Sequence, residues 1–474
     1  MGTLTMIGQL VLSLSILIIL HELGHYSTAK WFKTRVEKFF LFFNPYFSLI
    51  KAKKIDGKWN VKTFSKADDD FPEDKDPDNT TYGIGWLPLG GYVKISGMID
   101  ESMDKEQMAA EPQPWEFRTK PAWQRLIIML AGVFVNFVLG FLIMGFMLWY
   151  YGEAYLPTSE VNKYGIYADS LGQELGLKTG DKILKFGDKP FEKFNDRLAI
   201  LELVLNGSTT ITVDRDGKET VITPDPAVIK SLAAHKNQQQ TIFTAQFPFI
   251  AGKILKDSPA DKAGIKKEDK LLAVDHIQTP YFTDFLDYVS THPGKEVLVT
   301  VQRKNGAGQP EELQIPAKIG PDGKLGIAPY GPDRFFEYKH IKYSLAQALP
   351  AGVKKGWGFI DNQLKGFGKM FSGKIKATES LGGFGAFAKM YGSKWDWERF
   401  WRVTAIVSLL LGFINLLPIP ALDGGYALFL LFEVVTGIKP SDKFVETAVT
   451  IGFALLMGLF LFSNGLDVWR AFQH

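Results

Sequence analysis

The chain reads as a polytopic α-helical membrane protein with about four transmembrane helices, a strand-rich loop between the first two, and a duplicated α+β module between the second and third. Three observations predict this. Long apolar blocks occupy residues 6–20, 126–150, 403–417 and 445–462, each close to the length that crosses a hydrocarbon core of roughly 30 Å as a helix. Two look-alike stretches lie between the second and third blocks, and a Gly- and aromatic-rich segment lies between the first and second. With 474 residues, 22% of them charged, and a mean hydropathy near zero, apolar and polar stretches must alternate along several units.

The first block has no charged segment before it and no A-x-A-like site after it, which predicts a retained helix, not a signal peptide. It ends in SILIILHELGHYSTAK, residues 15–30. Lys30, Lys33, Arg35 and Lys38 follow it, Arg118, Lys120 and Arg125 precede the second block, and Lys439 and Lys443 separate the last two. The excess of Lys and Arg predicts that the loop between helices one and two is cytoplasmic and that residues 152–395 face outward, although Arg470 lies on the opposite side.

Inside the cytoplasmic loop, KADDDFPEDKDPDN reads as a solvated acidic connection, whereas FFLFFNPYFSLI and YGIGWLPLGGYVKISGM read as strands and turns. Strands beside a bilayer require burial against protein or a pairing partner. The net charge of +3 and the lack of a basic tract argue against a nucleic-acid partner. With no cysteine, any metal must be held by histidine and carboxylate.

Residues 167–191, YADSLGQELGLKTGDKILKFGDKPF, and 255–279, LKDSPADKAGIKKEDKLLAVDHIQT, share a small-residue turn, a short helix, a Gly followed by an aliphatic, an Asp turn and a strand. Both resemble PDZ domains, the second more fully. The resemblance implies peptide or C-terminal-segment binding by strand addition, with a spacer or steric gate as the open alternative. Residues 346–371 alternate apolar and basic residues at helical spacing, which suits a helix on the outer membrane surface or one packed between the module pair and the membrane part. The expected divisions are residues 1–151 for the N-terminal membrane part, 152–240 and 241–330 for the two modules, 331–395 for linker helices, and 396–474 for the C-terminal membrane part.

HELGH puts His21 and His25 one helical turn apart on one face with Glu22 beside them. Ionisable groups within a membrane helix are costly, roughly 2.5–3.5 kcal/mol for Asp, Lys or Arg, and need a reason. A zinc ion held by both imidazoles, with Glu22 as the base for a water, supplies one. A catalytic zinc keeps three protein ligands. Asp423 is the acid that interrupts the third apolar region, in GFINLLPIPALDGGYALFLLFE, where Pro418 and Pro420 break the helix and Gly424 and Gly425 permit close backbone approach. Glu433 is a lower-ranked rival ten residues on.

Together, HELGH, YGIGWLPLGGYVKISGM, the tandem modules and NLLPIPALDGG resemble the site-2 protease family, of the bacterial type that cuts anti-sigma factors. The resemblance implies an intramembrane zinc endopeptidase of the inner membrane acting on single-span membrane proteins in regulated intramembrane proteolysis. It implies His21, His25 and Asp423 as Zn2+ ligands, Glu22 as base, and Asn415 as a contact to substrate or oxyanion. It also implies a membrane-associated β-loop around Gly90, Gly91, Tyr92 and Val93 whose edge pairs with an unwound substrate, active-site placement near the cytoplasmic side, and modules that exclude bulky substrates. Val133 and Phe384 stand where the family usually has proline. A non-catalytic scaffold binding peptides through the module pair is the alternative from another class, and a lipid-directed zinc hydrolase a third.

Overall fold

The computed structural model describes residues 2–72, 79–88, 90–98, 111–234, 237, 240–376, 378 and 382–472. Part of the acidic connection, Leu89 and the start of the stretch preceding Phe384 lie outside them. The chain divides into two compact units: residues 1–152, 342–364 and 381–474 form one, and residues 153–341 and 365–380 the other.

The first unit begins with α1 (Gly2–Trp31), a continuous helix that carries HELGH in its last third. A five-stranded sheet follows, made of β1 (Val36–Leu41), β2 (Phe43–Ile55), β3 (Lys58–Lys66), β4 (Thr81–Leu87) and β5 (Tyr92–Ile95), in the spatial order β3-β2-β4-β1-β5. The β5 strand is therefore an edge. It pairs with β1 antiparallel through Phe39 opposite Val93 and Phe40 opposite Tyr92. Two further contacts hold it: Tyr92 stacks on Phe40 at 5.3 Å, and its hydroxyl donates to Asn44 Oδ1 at 3.0 Å.

Helix α2 (Ala122–Tyr151) packs on α1. The long helix α3 (Leu345–Phe371) buries Ala348, Gly352, Gly356 and Ile360 along one stripe. A side chain at position 352 would strike the Gly145 backbone, and one at 356 the Phe141 ring. This stripe packs α3 against α2, while Val353, Trp357 and Leu364 stay exposed. The remaining helices are α4 (Phe384–Tyr391), α5 (Trp397–Asn415), α6 (Asp423–Thr436) and α7 (Asp442–Phe472).

Among the described residues three helices, α1, α2 and most of α7, are long and apolar enough to span a bilayer. The third apolar block of the sequence forms α5, whose first turns carry Glu398, Arg399 and Arg402. Much of α5 is buried by protein: Phe400, Val403, Thr404, Ala405, Val407, Ser408 and Leu409 are all inside.

The second unit contains two modules with the same internal logic. The first has a core of Ile166, Ile183, Phe186, Ile211, Val213 and Phe243; the second has Phe249, Ala251, Leu271, Val274, Val299 and Val301. In each, a buried Asp at the head of a strand accepts two bonds from an Arg 34 residues later: Asp181 from Arg215 at 2.7 Å, and Asp269 from Arg303 at 2.6–2.7 Å. That Arg also donates to a glycine carbonyl 39 residues earlier, Gly176 or Gly264. The duplication read from short motifs thus extends to a buried ion pair that neither motif contains in full. Strand Phe243–Ala245 pairs with Ile166–Ala168, so the first module reaches past position 240 to complete its sheet.

In the second module the Asp275 carboxylate accepts from Leu298 N–H at 2.8 Å, Tyr288 hydroxyl at 2.7 Å and Lys295 Nζ at 3.0 Å. These partners, the backbone amide first, hold its pKa down at about 2, against an ordinary 3.8. A depressed folded-state value contributes stability above pH 3.8 that disappears as pH falls through about 2. Asp275→Asn is therefore expected to lower the thermal midpoint of the module near neutral pH. Its difference from the natural chain should shrink towards zero by pH 2, in thermal unfolding of the detergent-purified protein at stepped pH.

Candidate metal centre

Helix α1 carries His21, Glu22 and His25 past α2 at very close range, and two glycines make this approach possible. A methyl group at Gly24 would lie 2.7 Å from the Ala131 carbonyl oxygen and 3.0 Å from Gly132 Cα. One at Gly132 would lie 2.3 Å from His25 Nε2 and 2.7 Å from His21 Cε1. The histidines therefore occupy space that any side chain at 132 would fill.

Residues 128, 132 and 136 recur every four positions, so they share one face of α2. On that face the Ile128 carbonyl accepts the Nδ1–H of His25 at 2.8 Å, and Asn136 contacts His21 Nδ1 at 3.1 Å. A carbonyl can only accept, so His25 carries its proton on Nδ1 and presents Nε2 as a bare lone pair.

The third group comes from the opposite end of the chain. Helix α5 stops at Asn415, the chain breaks through Pro418 and Pro420, and Asp423 opens α6. Ala421 has φ +82°, a left-handed backbone that non-glycine residues adopt reluctantly and that concentrates at functional turns. Behind Asp423, Gly424 and Gly425 let the first turn of α6 lie against the broken segment: methyl groups there would meet Leu416 and Ile419 carbonyls at 2.4 and 2.3 Å.

The outcome is a triangle of ligand atoms. His21 Nε2 is 3.2 Å from His25 Nε2 and 3.3 Å from Asp423 Oδ2, and His25 Nε2 is 3.4 Å from that same oxygen. Donors about 2.0–2.1 Å from one tetrahedral zinc stand roughly 3.3–3.4 Å from each other, so this set fits that ion. Asp423 Oδ2 is buried and has no hydrogen-bond partner, which a carboxylate oxygen inside a protein tolerates poorly unless a cation takes the role.

A cavity of about 380 Å³ opens onto these atoms, lined by His21, Glu22, His25, Phe43, Gly91, Tyr92, Val93, Lys94, Ala421 and Asp423 among others. The Val93 amide lies against the Glu22 carboxylate, which places that group beside the β5 edge strand of the sheet. Gly91 is needed for space: a side chain there would meet Ile18 and the Phe40 carbonyl at 2.7 Å. Gly90 abuts Phe43, and neither it nor Asn415 lines the cavity. Both glycines serve close approach, without the positive φ of a glycine turn. Glu433 points elsewhere, into a 2.5 Å ion pair with Arg125 of α2, so the rival ligand is accounted for by another partner. Sequence reading missed Gly24, Gly132, Asn136 and Arg125. The only available signal was the four-residue spacing of 128, 132 and 136, which most membrane helices would also satisfy.

Residues 9–65 and 73–459 match the Peptidase family M50. The chain belongs to this family. It is a zinc metalloprotease, as the family is zinc-dependent. The chain is 27% identical over 478 residues to "Regulator of sigma-E protease RseP" of Escherichia coli, covering 97% of this chain and 98% of that protein. It is 25% identical over 484 residues to "Regulator of sigma E protease" of Haemophilus influenzae, covering 99% and 100%. A Neisseria meningitidis protein whose name describes a zinc metalloprotease is 28% identical over 481 residues, covering 97% and 98%.

Gly132→Ala tests the M50 site's packing directly. The added methyl group is expected to displace both imidazoles and to reduce bound zinc to a small fraction of the natural content, measured by elemental analysis of detergent-purified protein. Gly358→Ala, at a position with open space around it, should leave zinc content unchanged.

Proposed function

We propose that this M50 protease cuts single-span membrane proteins, or membrane-held remnants of them, within or beside the bilayer. The observation that carries the reading is the convergence of His21, His25 and Asp423 from two separate helices at a cavity bordered by the edge strand of a sheet. His21 Nε2, His25 Nε2 and Asp423 Oδ2 would hold zinc, which when bound acidifies water and polarises a peptide carbonyl.

Glu22 is the general base. Its carboxylate faces the cavity, takes a proton from the attacking water and returns it to the departing amine. The Val93 amide lies beside the carboxylate and helps to orient it. Substrate is presented as a strand along β5, where the backbone of Tyr92 to Ile95 borders the cavity. A helical substrate must unwind to pair there, because strand pairing and intrahelical bonding compete for the same amides.

Two relatives bear names that describe regulation of sigma E, and by that likeness we assign anti-sigma factors or similar regulators as the substrate class, in the inner membrane. We further assign the paired outward modules as PDZ domains that screen substrates by size or bind their peptide ends. Asn415, at the break after α5, would contact substrate from the opposite side. The non-catalytic scaffold has no missing ligand or base in its favour.

Glu22→Gln is expected to abolish cleavage of a single-span reporter while zinc content and the thermal midpoint stay at natural values. Retained cleavage would remove Glu22 from the base role. Asp423→Ala is expected to lose zinc, and stoichiometric zinc in that variant would overturn the ligand set. For the edge, Val93→Pro removes the amide that Glu22 uses. It should lower turnover at least tenfold with zinc retained, read from kcat with the same reporter.

A further inference from the structure

We propose that Asn136 is a positioning residue: its amide oxygen accepts the Nδ1–H of His21 and so points the bare Nε2 of that ring toward Asp423 and His25. The inference rests on the metal-centre reading above and assigns the group that makes it work for His21.

A neutral imidazole has one donor and one acceptor nitrogen. His21 Nε2 faces an acid oxygen at 3.3 Å and a second imidazole nitrogen at 3.2 Å, the place of a metal ligand, which must be a lone pair. The proton therefore sits on Nδ1, and Nδ1 needs an acceptor. The side chain beside it is that of Asn136, 1% exposed on α2, with Nδ2 at 3.1 Å from Nδ1. Two donors cannot face each other. Meanwhile Asn136 Oδ1 is buried without a partner. A half-turn of the amide, whose two ends have nearly the same size, brings Oδ1 to His21 Nδ1 and gives both atoms what they lack.

The same helix already performs this service for the other histidine. Ile128, eight residues earlier on the same face, accepts from His25 Nδ1 with its main-chain carbonyl at 2.8 Å. Gly132 lies midway and keeps the space between open. Helix α2 thus orients both imidazoles, one through backbone and one through a side chain. A packing role alone would not need the amide, since the contact to α5 is made by the Asn136 main-chain carbonyl, which accepts from Ser408 Oγ at 2.7 Å.

Such outer partners of metal-bound histidine are worth about 10–100-fold in metal affinity. The test compares the natural chain with Asn136→Leu, which keeps bulk but has no acceptor, and Asn136→Asp, which keeps an acceptor. Zinc is titrated away from the detergent-purified full chain with graded chelator, and thermal unfolding of the metal-stripped forms is followed in parallel. Asn136→Leu should release zinc at about 10–100-fold lower chelator strength, with its metal-stripped midpoint close to natural. Asn136→Asp should hold zinc at least as tightly as the natural chain. Natural zinc affinity in Asn136→Leu, or a tenfold or greater loss in Asn136→Asp, would overturn the proposal. If Asn136→Leu does not fold, the Asp variant alone decides by the same criterion. Absence of zinc from the natural chain itself would overturn the metal-centre reading and this inference together, whereas zinc in the natural chain with an unaffected Leu variant sinks only the role of Asn136.

Discussion

The near-contact of α1 and α2 at Gly24 and Gly132 is the constraint on which the site depends. Two membrane helices normally stand 8–10 Å apart, held off by their side chains; small residues at facing positions remove that separation. Here the missing side chains are replaced by two imidazole rings. His21 and His25 fill the volume over Gly132, and the α2 carbonyl and amide groups reach their outer nitrogens.

Asp423 arrives by a different physical route. A carboxylate cannot sit in the middle of a spanning helix without a partner, and the chain avoids that by ending α5, breaking at two prolines and restarting with Asp423 at the first turn of α6. That position also places the carboxylate at the positive end of the helix dipole. The break is sealed by protein: Gly424 and Gly425 lie against it from one side, and Gly452 of α7 would strike the Pro420 carbonyl with any side chain. Irregular backbone at membrane depth survives only under such cover. The Arg125–Glu433 pair ties the far end of α6 back to the start of α2, while Asp423 at its near end meets the histidines of α1.

The sheet completes the arrangement by ending at β5, the strand beside which the chemistry occurs. An open edge invites pairing and is usually blunted. In this chain β5 is short, is fixed from behind by Phe40 and Asn44, and sets the Val93 amide beside Glu22. The base and the strand that borders the cavity are therefore one connected structure.

Motif chemistry was legible in the sequence because it depends on residue type and short spacing. Four-residue spacing puts His21 and His25 on one face of any helix, and Pro418, Pro420 and Asp423 mark a broken polar point in any apolar segment. The duplicated modules were legible for the same reason, since their turns repeat in order. Tertiary structure alone decided what these groups meet. The sequence ranks Asp423 above Glu433 by the proline break and glycine pair beside it, and packing decides the rest by giving one to the histidines and the other to Arg125. The sequence does not distinguish Asn136 from any other polar residue in a membrane helix, or Gly132 from any other glycine. Their roles come from which faces of α1, α2 and α6 touch. That contact is set by the sum of many weak packing terms between segments up to four hundred residues apart. The third apolar block shows the same limit: its composition resembles a span, and only the structure shows how much of α5 is buried by its neighbours.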